Sequence, residues 1–77
     1  MDKSKAIVGT FIRVDFKNGV KYAQINDVSD DSFFACVLNK GAVRTGYGWN
    51  WNFKEDLSLI AVLPCRPSKD EVRATYP

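Results

Sequence analysis

The sequence contains no histidine. With it go the side chain that titrates near neutrality, the commonest general base and the commonest metal ligand. Imidazole-based triads and most zinc or iron centres are excluded. Cysteine is scarce: Cys36 and Cys65 lie 29 positions apart, whereas small secreted domains normally carry about two to four bridges. Cys36 falls in the apolar run Phe33-Phe34-Ala35-Cys36-Val37-Leu38, where a thiol behaves as a small buried hydrophobe, and Cys65 lies between Pro64 and Pro67 in a polar tail. Long apolar stretches are missing as well. No window approaches the roughly 18 residues of a membrane-spanning helix. After Met1-Asp2-Lys3-Ser4-Lys5, the segment Ala6-Ile7-Val8-Gly9-Thr10 is too short for a signal-peptide core. A reduced, cytoplasmic protein without membrane contact is the expectation.

An excess of one charge sign is absent too. Eleven Lys or Arg stand against nine Asp or Glu, for a formal net charge of +2. The isoelectric point of about 8.6 is below the value of about 9 typical of a dedicated nucleic-acid-binding domain. Any basic patch must be local. With 77 residues there is room for one small domain, which buries only about 60% of the surface its unfolded chain exposes. The material for one shared core is present, since 45% of residues are hydrophobic and ten are aromatic.

From Ala6 to Leu63 the chain is rich in β-branched and aromatic residues punctuated by turn formers, the pattern of an antiparallel all-β domain. Residues 1–63 are expected to form the domain and 64–77 a tail. Asn18-Gly19 suits a type I′ hairpin, which needs two positive φ angles. A two-residue loop there pairs Phe16 with Lys21, Val14 with Ala23 and Ile12 with Ile25. Ile12, Val14, Phe16, Ala23 and Ile25 then line a core face, and Arg13, Asp15, Lys17, Tyr22 and Gln24 a surface face. Asp27 to Ser32 reads as a loop. Phe33 to Leu38 reads as a third strand, central or buried on both faces. Gly41 is available for the left-handed position of the next hairpin, before a fourth strand from Ala42 to Phe53 that bends at Gly46 or Gly48. One helical turn is expected near Glu55 to Leu57, followed by a short fifth strand that ends at Pro64. Ser68 and Glu71 have capping-box spacing for a short helix over 69–75.

Five strands in under sixty residues, with a long bent strand and a helical turn before the last, resemble the layout of small SH3-like and Sm-like barrels. The resemblance implies a five-stranded antiparallel barrel with a short C-terminal helical turn. It extends to architecture only. The Ala-Leu-Tyr-Asp-Tyr sequence of peptide-binding SH3 domains is absent, and the lysine-histidine signature of bacterial Sm-like proteins is excluded without histidine. The Val-Gln-Ile-Tyr-Pro run of the plasmid-borne dihydrofolate reductases that use this architecture is also missing.

The most unusual segment is Arg44-Thr45-Gly46-Tyr47-Gly48-Trp49-Asn50-Trp51-Asn52-Phe53. On a regular strand Tyr47, Trp49, Trp51 and Phe53 share one face. They form either a half-buried core stripe or, flanked by Arg44 and Lys54, a platform on which unpaired bases stack. A bulge at Gly46 or Gly48 would split the stripe. On the hairpin, Tyr22 beside Arg13 and Lys17 is a second candidate surface for phosphate and base contacts, or an ordinary solvated face. The acidic group Asp27, Asp30 and Asp31 lacks the fixed glycine and terminal glutamate of an EF-hand loop and reads as turn capping. There is no Gly-rich phosphate loop and no nucleophile with an evident activator, so no enzyme, cofactor or metal is expected. Two readings follow. One is a non-catalytic module that contacts nucleic acid with Tyr22, Tyr47, Trp49 and Trp51 for stacking and Arg13, Lys17, Arg44 and Lys54 for phosphates. The other is a protein-interaction module, such as an inhibitor, adaptor or self-assembling subunit, that buries the same aromatics against a partner or a second copy.

Overall fold

A computed structural model describes all residues, Met1–Pro77. Five antiparallel strands form one sheet: β1 Phe11–Phe16, β2 Gly19–Val28, β3 Ser32–Leu38, β4 Arg44–Asn52 and β5 Ile60–Val62, in the order β4-β3-β2-β1-β5. A 3-10 turn, Lys3–Lys5, precedes the sheet, and one short helix, α1 Lys69–Arg73, follows it. β4 and β5 are the two edges and do not pair, so the sheet is open rather than a closed barrel. No helix is long and apolar enough to cross a membrane.

The first hairpin corrects the expected turn. Its loop is Lys17-Asn18, one position earlier than the Asn-Gly reading, with Phe16 opposite Gly19, Val14 opposite Lys21 and Ile12 opposite Ala23. Of these turn residues only Gly19 has a positive φ (141°), so the turn is not type I′. The faces survive the change, because moving a two-residue loop by one position shifts partners by two along the opposing strand. Ile12, Val14, Ala23 and Ile25 are buried together, with Phe16 against them.

Two bulges shape the sheet. β2 continues through Asp27 to Val28, beyond the expected loop start, and carries an extra residue at Asn26 between the pairs Ile25–Ala35 and Asp27–Phe34. The remaining loop is closed by Ser29, whose N–H donates to Ser32 C=O and whose Oγ accepts from the N–H of Ser32. On β4 the register slips between Gly48, opposite Cys36, and Arg44, opposite Leu38. The excess residues are held by Thr45, whose Oγ1 donates to Val37 C=O at 2.7 Å and accepts from Tyr47 N–H at 3.3 Å.

β4 also starts later than expected, at Arg44. In the loop before it Ala42, not Gly41, takes the left-handed conformation (φ 60°). The Asn39 side chain accepts from the N–H groups of Gly41 and Val43 and fixes the loop, which turns the Ala42 methyl into a buried position. The expected helical turn at 55–57 is replaced by two side-chain-closed turns. Asn52 Oδ1 accepts from Lys54 N–H at 2.9 Å, and Asp56 Oδ1 accepts from Ser58 N–H at 3.0 Å. Short acceptors of this kind compete with helical backbone bonds.

The sheet buries both faces. The main core joins Ala6, Ile12, Val14, Ala23, Ile25, Phe33, Ala35, Leu57 and Ile60. A second, small core of Leu38, Ala42 and Val72, with Phe11, Tyr22 and Tyr76 against it, covers part of the face expected to be solvated. The C-terminal segment supplies this cover. Its helix has both bonds of the capping box between Ser68 and Glu71, ends two residues before the expected limit at Thr75, and docks through fully buried Val72. Tyr76 donates its hydroxyl to Leu38 C=O, and the Arg66 guanidinium lies 4.9 Å over the Phe11 ring while donating to Ala42 C=O. Cys36 is buried, Cys65 is exposed, and both are free thiols.

Candidate functional site

Trp49 and Trp51 sit on the main-core face, two positions apart, and both are half-buried. Their rings belong to a continuous series. Phe16 lies 4.8 Å from Trp49, Trp49 lies 5.9 Å from Trp51, Trp51 lies 5.3 Å from Phe33, and Phe33 lies 5.6 Å from Phe53. The Lys3 ammonium ends the series, 5.1 Å over the Phe53 ring. Phe33 is fully buried and anchors the row, whereas Phe16, Trp49, Trp51 and Phe53 keep part of their surface in solvent. Glycine is needed once in this strand: a Cβ on Gly48 would overlap the Ala35 carbonyl, so only glycine lets β4 lie this close to β3.

The bulge at Thr45 to Tyr47 breaks the stripe that a regular strand would make. Tyr47 is 81% exposed and belongs to no ring pair, so the row holds the two tryptophans and Phe53 without it. Tyr22 is cross-strand from Arg13 but half-buried against the second core, on the opposite face from Trp49 and Trp51. Arg13 is exposed and lies 3.6 Å from the Asp15 carboxylate, a surface pair of little energetic weight. Arg44 is cross-strand from Leu38, a second-core residue, and donates to Asn26 Oδ1. Of the four cations singled out from the sequence, Lys54 is placed beside the ring series, in the groove that Phe53 lines. Lys17 follows Phe16 and Lys54 follows Phe53, and both are exposed.

At the Phe53 end lies a shallow groove of about 200 Å³ lined by Lys3, Asp30, Asp31, Asn52, Phe53 and Lys54. Lys3 Nζ donates to Asp30 C=O at 2.9 Å, which holds the ammonium in place. Charge of both signs therefore borders the aromatic row. No group of three or more acidic or cysteine side chains is arranged to hold a metal ion. Sequence reasoning missed Lys3. Its position comes from the 3-10 turn and from the N-terminal ammonium, which donates to Leu57 C=O at 2.6 Å, and a contact between residues 3 and 53 leaves no periodic signal. Phe16 carries a signal, since alternation puts it on the same face as Ile12 and Val14, but alternation along one strand does not show that its ring meets Trp49 across the sheet.

Compared with known proteins, the chain matches no family model, no curated protein sequence and no solved structure.

Proposed function

We propose that the protein is a non-catalytic binding module that contacts single-stranded nucleic acid along the ring series from Phe16 through Trp49 and Trp51 to Phe53. The observation that carries this reading is the row itself: the partly exposed rings of Phe16, Trp49 and Trp51 spaced 4.8 and 5.9 Å apart, joined through buried Phe33 to Phe53, with an ammonium over the Phe53 ring. Bases stack on such rings without regard to sequence, and cations at the ends of a row suit the phosphates of a strand laid along it. Lys17 would serve one end and Lys3 with Lys54 the other. Arg13, Tyr22 and Arg44, on or beside the second face, would contribute only to a strand that wraps around the sheet. In this reading the open sheet is an incompletely closed relative of the SH3-like or Sm-like layout. The approach of Phe16 to Trp49 supports that, because it requires strong curl.

Fluorescence anisotropy with single-stranded and duplex DNA and RNA, at low and at physiological salt, tests the proposal. Single strands should bind with an affinity that falls steeply as salt rises, because phosphate contacts release counterions. Charge reversal at Lys17 and Lys54 should weaken binding and reduce the salt slope. No binding, or binding indifferent to salt, overturns it.

One observation favours a second reading, a protein partner on the same surface. Asp30 and Asp31 share the groove with Lys3 and Lys54, and carboxylates repel phosphates but pair with a partner's cations. Exposed Tyr47 beside half-buried tryptophans has the composition of an interface hot spot. Under this reading Asp30→Lys with Asp31→Lys weakens binding to the partner. Under the first the same change strengthens binding to oligonucleotides.

A further inference from the structure

The groove beside Phe53, about 200 Å³ in volume, sets hydrogen-bond donors and acceptors side by side. Lys3 and Lys54 bring ammonium groups, Asp30 and Asp31 carboxylates, Asn52 an amide and Phe53 an apolar wall. This volume is below the roughly 300 Å³ at which pockets for drug-sized ligands begin, and it suits a group the size of one nucleobase. The frame is fixed: Phe53 N–H donates to Asp31 C=O at 2.8 Å, Lys3 Nζ to Asp30 C=O at 2.9 Å, and Lys54 N–H to Asn52 Oδ1 at 2.9 Å. The carboxylates of Asp30 and Asp31 and the ammonium of Lys54 are left to a ligand, since the ion pair of this chain is Arg13 with Asp15.

The pattern of charge decides the chemical class of the occupant. Two carboxylates repel a phosphate, and two ammonium groups repel a guanidinium or an amine. A neutral heterocycle with donors on one edge and acceptors on the next satisfies both signs at once. Among the nucleobases guanine meets this best. Its N1–H and N2–H donors come from adjacent nitrogens and match the two oxygens of one carboxylate, while O6 and N7 are adjacent acceptors of the kind lysine contacts. Adenine and cytosine offer one exocyclic amine each, and thymine and uracil one ring N–H, so none of them meets a carboxylate with two neighbouring nitrogens.

We propose that this groove selects guanine in a single strand whose neighbouring bases stack on Trp51 and Trp49. The inference rests on the nucleic-acid reading and adds a base preference to it. A carboxylate of Asp30 or Asp31 accepts from guanine N1–H and N2–H, and Lys54 donates to O6 or N7. Lys3 keeps its place over Phe53 and on Asp30 C=O. Trp51 and Phe53 are two positions apart on an extended chain, about 6.8 Å. That is about twice the 3.4 Å between successive nucleotides of a duplex strand, so a bound strand stretches there and splays a base into the groove. The groove lies at one end of the ring row, which confines the preference to one end of the bound strand and gives the strand a polarity.

Fluorescence anisotropy with short thymidine strands, unmodified or carrying one guanine at the 5′ or the 3′ end, tests the proposal. One of the two guanine-ended strands should bind about fivefold to tenfold tighter than all-thymidine, the low end of what a bidentate base contact discriminates. Inosine in place of that guanine lacks the N2 amine and should remove the gain. In Asp30→Asn with Asp31→Asn the gain should vanish while the all-thymidine strand binds more tightly, two opposite changes that a loss of folding does not produce. Equal binding of all strands, or a gain that survives in the double variant, overturns the inference and leaves the nucleic-acid reading standing. No binding of any strand overturns both. An arginine-rich peptide bound in place of the oligonucleotides, and weakened by the same variant, overturns both in favour of a protein partner.

Discussion

Phe16 of β1 and Trp49 of β4 lie with ring centroids 4.8 Å apart and planes tilted by 48°, although β2 and β3 separate their strands in the sheet. Neighbouring strands are about 4.8 Å apart, so a flat sheet would hold these strands roughly 14 Å from each other. The contact exists because the sheet curls, and twist of constant hand plus two bulges supplies the curl. Gly19 opposite Phe16 assists, since it puts no side chain beside the ring and leaves it free to lean across.

A double-mutant cycle on this pair should show coupling. Trp49→Ala removes a half-buried ring and is expected to cost about 2–3 kcal/mol, somewhat below a fully buried tryptophan. Phe16→Leu keeps most of the apolar volume but removes the ring. Chemical denaturation of both single variants and the double variant should give a coupling energy of about 1 kcal/mol. Additive effects would mean that the two rings are neighbours without mutual stabilisation, and that the curl rests on the aliphatic core alone.

Gly48→Ala should destabilise more than any other glycine-to-alanine change in the chain. The added methyl meets the Ala35 carbonyl, which is backbone and cannot rotate away, so β4 must move from β3. Overpacking of this kind costs about 3 kcal/mol or more. Gly46, by contrast, has open space around it, and its alanine variant should differ little from the parent. Thermal unfolding of the two variants side by side decides this, and equal midpoints would contradict the strand spacing.

The C-terminal segment should behave as part of the fold rather than as a tail. Val72 is fully buried against Leu38 and Ala42, and Val72→Ala is expected to cost about 2 kcal/mol. Ser68→Ala removes one bond of the capping box and should cost about 1 kcal/mol. In a domain of this size each kcal/mol lowers the unfolding midpoint by about 4–8 °C, so scanning calorimetry resolves both. If both variants leave the midpoint in place, the segment does not contribute to the cooperative unit.

Much of this architecture was legible from periodicity. Alternation in β1 and β2 sorted the first hairpin into its two faces even though the loop was placed one residue late, because a parity argument tolerates a shift of two. The unbroken run Phe33 to Leu38 implied a strand that is central or buried on both faces, and β3 lies inside the sheet with Phe33, Ala35, Cys36 and Leu38 buried. Ser68 and Glu71 marked the helix by chemistry that acts over three residues. What escaped was non-local. The second core draws on Phe11, Tyr22, Leu38, Ala42, Val72 and Tyr76, which no sequence window unites, so Tyr22 read as a surface residue. The position of Lys3 over Phe53 and the lean of Phe16 onto Trp49 depend on chain return and sheet curl. Tyr47 was separable from Trp49 only conditionally, since Gly46 and Gly48 permit a bulge but do not say on which side of Tyr47 the register slips.

The loop before β5 should make stability acid-sensitive in a defined window. Asp56 has its carboxyl held below the usual carboxylate value of 3.8 by the Ser58 backbone N–H and then by the Ser58 side chain, and the chain's own N-terminal ammonium adds to this. A group whose folded pKa is lowered binds protons more weakly in the folded state than in the unfolded one. Its contribution is complete above about pH 4 and is lost as pH falls through the lowered folded value. Asn at this position still accepts from Ser58 N–H through Oδ1 but does not titrate. At neutral pH Asp56→Asn should therefore unfold at a slightly lower temperature than the parent, and the gap should close as pH falls from about 4 towards 2. Asp2 provides a second instance, its carboxyl lowered by the hydrogen bond from Ser4 Oγ at 2.8 Å, and Asp2→Asn should narrow the same acid limb. Unfolding midpoints at half-unit steps of pH measure the trend. A gap that stays constant down to pH 2 would show that the Ser58 contacts do not discriminate between the charged and neutral carboxyl.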